Sequence, residues 1–340
     1  MKYVWFWVAG GAVGLALLLA AVYCITVYIS FLVLLDAKNR LGKAVMARVM
    51  PTNDIIDMFQ NIPEGVVKAM EQSKAWCDAH PPTRWAAQSR DGLKLNGWFF
   101  ENPSPSHSYV IYMHGHGMKA ADFFVFTLPF IEQGFSMLLP DARAHGESGG
   151  RYRGMGWLDC PDLLDWVDAI LARDPQAEIM LSGISMGGNT VLNAAGVALP
   201  PQVKCIVSDC PFTSVHDEIE TVLRDMFPVP VGALAKSMGR LVQKKAGFSV
   251  TEASTLEQVK KATLPLLIFH GEDDDFVPFA FGKAIHAAAA SAEKQFYPVP
   301  GATHGESAIR DYEGYLRTMF DFARRHMELG EVSARRDCGC

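Results

Sequence analysis

A serine flanked by glycines is the pattern in this chain that points most directly to chemistry. Gly183-Ile-Ser185-Met-Gly187 follows the apolar run 179–181 and precedes a helix-like segment at 189–197. Glycine neighbours allow a serine to occupy a tight strand-to-helix turn that exposes its hydroxyl above a sheet edge. The helix behind it offers free backbone amides to an anion formed during a reaction. The pattern therefore predicts a nucleophile at Ser185.

A serine hydroxyl is a weak nucleophile until a histidine takes its proton, so a base must follow. In the strand-turn-helix type of site the acid comes after the serine and the histidine comes last. Beyond the acidic run Glu272-Asp273-Asp274-Asp275, His286 and His326 fall in helix patterns. His304 instead lies in a loop directly after a predicted strand. We predict His304 as the base, whereas spacing alone does not choose among the four acids.

A second glycine-rich loop, His114-Gly115-His116-Gly117, ends another apolar run. Its glycines allow the backbone to approach a substrate closely, so we predict the amides of His116 and Met186 as the two oxyanion donors. Paired imidazoles could also bind zinc. Alternate residues of a strand point to opposite faces, however, and no third ligand cluster lies nearby in the sequence. We predict no metal and no cofactor.

The elements that must position these residues are short apolar strands alternating with amphipathic helices. Asp-Gly between two alternating segments, 85–89 and 93–100, predicts a hairpin. The clearest helix is 162–172. Further strands are predicted at 108–113, 136–139, 179–183, 203–207, 264–269 and 295–299. This alternation predicts an α/β fold whose mostly parallel sheet is covered on both faces, with ligands bound beyond the carboxyl ends of its strands.

Composition excludes several function classes. The chain has 340 residues, of which 49% are hydrophobic and 20% charged, so it folds. A net charge of -6 gives no basic face for phosphate, which excludes nucleic acid as an expected partner. The seven cysteines show no regular spacing, so neither a disulfide framework nor a zinc site is indicated.

The N-terminal segment contains no charged residue from position 4 to position 35. That run is longer than the roughly 20 residues needed to cross a bilayer. A signal peptide would have an apolar core of about 7–15 residues and a small-residue cleavage site. A buried core helix is the other alternative. We predict a single-pass transmembrane helix in residues 1–36, with the rest of the chain on the cytoplasmic side of the cell membrane. The basis is that only Lys2 precedes the run, whereas Lys38, Arg40, Lys43 and Arg48 follow it.

The remaining chain divides by composition. Residues 37–84 are predicted to form a linker and helical prelude, with helix starts at Asn53-Asp54 and Pro63-Glu64 and a break at Pro81-Pro82. Residues 85–327 are predicted to form the main domain. Residues 328–340 are predicted to form a flexible tail whose Cys338 and Cys340 are expected to be exposed thiols.

Over residues 85–327 the chain resembles an α/β-hydrolase. It is similar to the bacterial membrane-tethered serine hydrolases grouped with esterases, lysophospholipases and dipeptidyl aminopeptidase-like proteins. The matching segments are 114–117, 141–148, 154–157, 183–187, 270–278 and 301–304. The resemblance implies an α/β-hydrolase fold, with a mostly parallel central sheet flanked by helices and one transmembrane helix before it.

The resemblance also assigns roles. In the family pattern His-Gly-x-x-Asp-x-x-Val-Pro the acid is the fifth residue, which is Asp274 here. It implies Ser185 as nucleophile, His304 as general base and acid, and Asp274 as the residue that holds the imidazole. His145 and His270 are implied to anchor loops.

A segment of low strand character, 211–262, lies where α/β-hydrolases often carry a helical lid. Either a lid or a helical crossover packed on the sheet fits this segment. Its apolar residues Met226, Phe227, Val229 and Leu234 are candidates to line an acyl site.

The expected function is hydrolysis of a small-molecule or lipid acyl ester through an acyl-Ser185 intermediate. An acyltransferase or a serine peptidase would use the same residues. A silent membrane-anchored binding module and a metallohydrolase using the paired histidines are the alternatives from other classes. The sequence leaves the oligomeric state open.

Overall fold

One sheet of eight strands organises the molecule, which is known from a computed structural model that describes residues 2–49, 62–104, 106–227 and 230–329. The strand order is β1-β2-β4-β3-β5-β6-β7-β8. β1 and β2 pair antiparallel, as do β2 and β4, and every other pair is parallel. The predicted mostly parallel α/β fold is confirmed. The strands are β1 (Thr83–Gln88), β2 (Lys94–Phe100), β3 (Ser108–Met113), β4 (Ser136–Pro140), β5 (Glu178–Ile184), β6 (Val203–Asp209), β7 (Leu266–Gly271) and β8 (Lys294–Val299).

Helices precede the sheet, cover both of its faces and fill the segment between β6 and β7. The helix start predicted at Asn53-Asp54 and the tail cysteines Cys338 and Cys340 lie outside the described residues. The helices are α1 (Lys2–Leu34), α2 (Arg40–Val49), α3 (Glu64–Ala79), a 3-10 helix (Ala120–Phe126), α4 (Thr127–Glu132), α5 (Asp159–Arg173), α6 (Met186–Ala194), α7 (Val215–Met226), α8 (Gly232–Ala246), α9 (Thr255–Val259), α10 (Phe279–Ala288), α11 (Ser307–Arg310) and α12 (Tyr312–His326).

Alternation along the strands divides the core between the two faces of the sheet. In β5, Ile179 and Leu181 belong to the cluster under α5 and α6, whereas Met180 belongs to the cluster under α3 and α12. This is the period-two pattern of a strand buried on both faces. Trp166 of α5 lies against Gly97 of β2, where an added Cβ would meet its ring at 3.2 Å. The glycine therefore allows the large indole to pack on the sheet.

The N-terminal helix α1 has two parts with different surroundings. Its Gly10–Leu34 portion is long and apolar enough to cross a membrane, with a mean hydropathy of 2.5. From Trp7 to Ile25 its described side chains are exposed. Near its end, however, Phe31 is 1% exposed and Leu35, just after it, is fully buried, in a cluster with residues of α7 and α8. Closer to the N-terminus of α1, the Tyr23 hydroxyl donates to the carbonyl of Ala233 in α8 at 2.7 Å.

A buried arginine caps the carboxyl end of α1. A helix leaves its last carbonyls without partners, and α1 has no basic residue in its own last turn. Arg153 supplies the missing donors: its Nη1 lies 3.0 Å from the carbonyl of Val33, and its backbone amide donates to Leu35 at 2.9 Å. Arg151 adds an ion pair to the buried Asp36 at 2.8 Å. These contacts fix the end of α1 to the segment that follows β4.

Candidate active site

Ser185 occupies a strained turn between β5 and α6. Its φ is 53° and its ψ is -120°, a conformation that non-glycine residues rarely adopt. Its amide donates to the carbonyl of Asp209 in the neighbouring strand at 2.8 Å. A Cβ on Gly187 would lie 2.0 Å from the carbonyl oxygen of Met113, and one on Gly183 would lie 2.4 Å from that of Gly187. Steric contacts therefore require glycine on both sides of the serine.

His304 lies between Ser185 and Asp274. Its Nε2 is 2.9 Å from Ser185 Oγ, and its Nδ1 is 2.8 Å from Asp274 Oδ2. Because a carboxylate can only accept, Nδ1 carries the proton and Nε2 is left to accept from the serine hydroxyl. The three residues follow β5, β7 and β8, whose carboxyl ends meet at one edge of the sheet. The structure thus brings the three predicted residues together.

Asp274 is the buried member of its acidic run. Glu272, Asp273 and Asp275 are exposed, whereas Asp274 is 5% exposed and accepts from the amide of Val277 at 2.8 Å. Burial alone would raise the pKa of Asp274. Hydrogen bonds from His270 and His304 outweigh that effect and lower the pKa to about 2. The carboxylate is therefore ionised at any pH at which the protein would work.

The imidazoles of the His114 loop make structural hydrogen bonds. His114 Nε2 accepts from the amide of Ala142 at 3.0 Å, and its Nδ1 donates to Gly115 at 2.8 Å. His145 Nε2 accepts from the amide of Gly117 at 3.2 Å. The rings of His114 and His145 thus hold the loop after β3 and the loop after β4 against each other.

His116 joins this loop to the end of α1. Its Nε2 donates to the carbonyl of Leu34 at 2.8 Å. Burial, and then the positive charge of Arg153, lower the pKa of His116 to about 3, so the ring is neutral. The apolar N-terminal helix thus contacts, through one of its last carbonyls, the loop predicted to hold an oxyanion.

One cluster in the described part of the chain has the composition of a metal site, and it belongs to this same centre. Cys210, Asp274 and His304 place one ligand atom each within 4.8 Å of one another. Burial raises the pKa of the Cys210 thiol well above its usual value.

A cavity lined mostly by apolar side chains adjoins Ser185. His304 and both predicted oxyanion donors, His116 and Met186, also line it. Met186 is the first residue of α6, so its backbone amide is among those that a helix leaves unpaired at its start. The apolar lining includes Leu34, Phe123, Phe130, Met155, Phe212, Ile219, Val222, Phe276, Leu316 and Met319.

Three of the four acyl-site candidates in the segment 211–262 are placed outside the cavity lining. Met226 is 48% exposed, and Leu234 packs in the cluster that holds the end of α1. Phe227 packs at the edge of that cluster, and Val229 lies outside the described residues. The prediction was wrong for the three described residues because α7 turns Ile219 and Val222 toward the cavity, and those residues lie earlier on the helix. The segment covers the cavity with α7 and packs on α1 with α8.

Most residues of the cavity lining were not predicted from the sequence, among them Asp209, Leu34 and Glu218. Asp209 ends β6, accepts from Ser307 Oγ at 2.7 Å, and has its pKa raised to about 6 by burial. Its position directly after a predicted strand is a signal that could have found it. Leu34 and Glu218 reach the cavity through packing between distant segments, for which the sequence carries no local pattern.

Comparisons with known proteins agree with this geometry. Residues 104–252 match the family described as serine aminopeptidase, S33. The chain aligns with the Pyrococcus furiosus esterase Pf2001 at a TM-score of 0.60 and 21% identity, covering 74% of this chain and 94% of that one. The chain is an α/β-hydrolase by fold. The Pyrococcus horikoshii acylaminoacyl peptidase aligns with this chain at a TM-score of 0.54 and 17% identity, over 74% of this chain and 43% of that one.

Two relatives match the chain by sequence. The uncharacterized protein YqkD of Bacillus subtilis is 24% identical over 241 residues, which are 71% of this chain and 78% of that protein. The lysophosphatidylserine lipase ABHD12 of Macaca fascicularis is 27% identical over 225 residues, 62% of this chain and 52% of that one. The chain therefore spans about half the length of that lipase.

Proposed function

We propose that this α/β-hydrolase is a membrane-anchored serine hydrolase that cleaves carboxylic esters through an acyl-Ser185 intermediate. One observation carries the proposal. His304 lies within hydrogen-bond distance of both Ser185 Oγ, at 2.9 Å, and Asp274 Oδ2, at 2.8 Å, beside an apolar cavity. A base held between a serine and a buried carboxylate is the arrangement that activates a serine hydroxyl.

The reaction has two halves. In the first, His304 Nε2 takes the proton of Ser185 as Oγ attacks the ester carbonyl, and the amides of Met186 and His116 hold the oxyanion. His304 then gives that proton to the departing alcohol. In the second half, a water loses its proton to His304 and attacks the acyl carbon, and Ser185 leaves with the proton that His304 returns. Asp274 keeps the imidazole in the required tautomer and stabilises its charged form.

The cavity supports an ester with an apolar acyl part. Its walls are aromatic and aliphatic, and no lysine or arginine side chain of the described residues lines it. Such a wall favours an alkyl chain through the hydrophobic effect. Pf2001 is an esterase and ABHD12 is a lysophosphatidylserine lipase, and the likeness to both supports the same substrate class.

Amide cleavage is the second candidate. It is favoured by the match to serine aminopeptidase and by the likeness to an acylaminoacyl peptidase. The same serine, histidine and carboxylate would act on a peptide bond, with an amine as the leaving group.

The anchor is proposed from α1. The exposed stretch from Trp7 to Ile25 has the length of a bilayer crossing, about 20 residues. The docked end after it brings Leu34 to the cavity wall. The excess of basic residues after the run favours a catalytic domain on the cytoplasmic side of the cell membrane. The active site would then lie next to the bilayer surface, within reach of lipid-derived esters.

The test is turnover by the full chain in detergent micelles. The substrates are p-nitrophenyl esters from acetate to palmitate and the matched p-nitroanilides, with Ser185→Ala as the control. We expect ester turnover with an optimum at one acyl length, and a loss of several orders of magnitude in the variant. Faster cleavage of the anilides would favour the peptidase, and an active Ser185→Ala would overturn the assignment of the nucleophile.

A further inference from the structure

A carboxyl group that the proposed reaction does not use lies in the cavity wall. Glu218 is in the first turn of α7 and is 5% exposed. It lines the same cavity as Ser185 and His304, as do Ile219 and Val222 of its own helix. Within the segment 211–262, a substrate bound in the cavity would therefore contact this face of α7.

Helix capping does not explain Glu218. The cap of α7 is Ser214, whose Oγ accepts from the amide of Asp217 at 3.0 Å. Oε2 of Glu218 is fully buried and has no hydrogen-bond partner in the described part of the chain. Buried polar groups are almost always paired, so this unpaired carboxyl oxygen makes Glu218 a candidate to bind a polar group of a ligand.

The charge state of Glu218 limits what that partner can be. Burial raises the pKa of Glu218 to about 8, and the negative charges of Asp274 and Asp225 act in the same direction. At neutral pH the group is therefore mostly the uncharged acid, with one O–H donor and a carbonyl acceptor. A hydroxyl group, which also donates and accepts, complements both of these atoms.

Charged ligand groups fit less well. An anion would meet the Asp209 carboxylate in the same cavity and no arginine or lysine among its described lining residues. A cation would be attracted by the Asp209 carboxylate, but it would have to leave water for a mostly apolar wall, opposite a Glu218 carboxyl that is mostly uncharged at neutral pH. Neither class gains the pair of hydrogen bonds that a hydroxyl makes.

We infer that Glu218 binds a free hydroxyl group of the substrate, so that the preferred substrates are uncharged esters that carry a hydroxyl. That these substrates are esters rests on the proposed function. The hydroxyl-binding site itself rests on the wall of the cavity and can be tested without turnover.

The test measures binding by calorimetry to the full chain in detergent, in a Ser185→Ala background. The ligands are three esters of similar size. Ethyl octanoate has no hydroxyl, 2-hydroxyethyl octanoate carries one on its alcohol part, and ethyl 8-hydroxyoctanoate carries one on its acyl part. We expect one of the two hydroxy esters to bind about tenfold more tightly than ethyl octanoate. Glu218→Leu should bring that ratio to about 1, whereas Glu218→Gln should keep it, because an amide also donates and accepts.

A matched control is Glu220→Gln, which makes the same change at a partly exposed position of α7 outside the cavity lining and should keep the ratio. Equal binding of all three esters, or a preference that survives Glu218→Leu, would overturn the inference. Octanoylcholine serves as the cationic probe. If it binds more tightly than the hydroxy esters and weakens in Glu218→Gln, the site takes cations and the inference is wrong. A lack of ester turnover by the unmodified chain would contradict the proposed function alone, since binding is measured separately.

Discussion

The two walls of the cavity are built in different ways. On the sheet side, Ser185, Asp274 and His304 each follow a strand, and short sequence patterns set their positions. On the opposite side, Leu34 comes from the end of α1 and Glu218 from α7, segments brought together by packing over long sequence distances. The proposed chemistry therefore depends on local backbone geometry, whereas the proposed choice of substrate and link to the membrane depend on tertiary contacts.

The largest expected effect is on the sheet side. Asp274→Asn should lower kcat about 10³- to 10⁴-fold, because an amide no longer holds Nδ1 of His304 as the donor or stabilises the charged ring. Asp273→Asn is the matched control, an exposed neighbour in the same acidic run. Steady-state kinetics on one p-nitrophenyl ester measure both. A larger loss in the Asp273 variant would place the acid elsewhere in the run.

On the opposite wall, Glu218→Gln should change stability in a pH-dependent way. Burial raises the pKa of Glu218 from 4.5 to about 8, so the folded state holds this proton more tightly than the unfolded state. The parent therefore loses stability as pH rises from about 4.5 through 8, and glutamine does not titrate. The free energy of unfolding of the variant minus that of the parent should therefore rise by a few kcal/mol between pH 5 and pH 8. Denaturant titrations at several pH values would show a constant difference if the carboxyl were instead solvated.

Truncation separates the two parts of α1. Deleting residues 2–22 removes most of the exposed stretch and should leave kcat in detergent nearly unchanged. Deleting residues 2–36 also removes the Leu34 carbonyl that accepts from His116 and uncovers the apolar faces of α7 and α8. We expect the longer deletion to lower kcat by about ten- to a hundredfold, and circular dichroism would separate this loss from unfolding. Equal activity of the two truncated chains would show that the docked end has no role in the site.

The smallest expected effect comes from the cap of α1. Arg153→Met removes the donors to the last carbonyls of that helix and should lower kcat about tenfold, with the His116 loop less firmly held. Arg151→Met leaves the buried Asp36 carboxylate without its arginine partner, so it should lower stability by about 1–3 kcal/mol while leaving kcat nearly unchanged. Thermal unfolding and ester kinetics on both variants test the contrast. Similar losses would mean that the whole segment acts as one unit.

The sequence was most informative where the pattern is local. The strand at 108–113 has the predicted bounds, and the structure places Ser185 and His304 beside each other as predicted. Asp274 could not be chosen by spacing, because four adjacent acids differ only in which one the turn buries. Glu218 and Leu34 were missed for a related reason. A helix pattern does not show which face will meet a distant segment, so the face that α7 turns inward was not predictable.

The most direct test of the central claim is the site of covalent labelling. The full chain in detergent is treated with a fluorophosphonate, and the modified peptide is identified by mass spectrometry. We predict a single adduct on Ser185, formed quickly in the parent and much more slowly in Asp274→Asn. An adduct on another serine, or ester turnover by a chain that is not labelled at Ser185, would contradict the account.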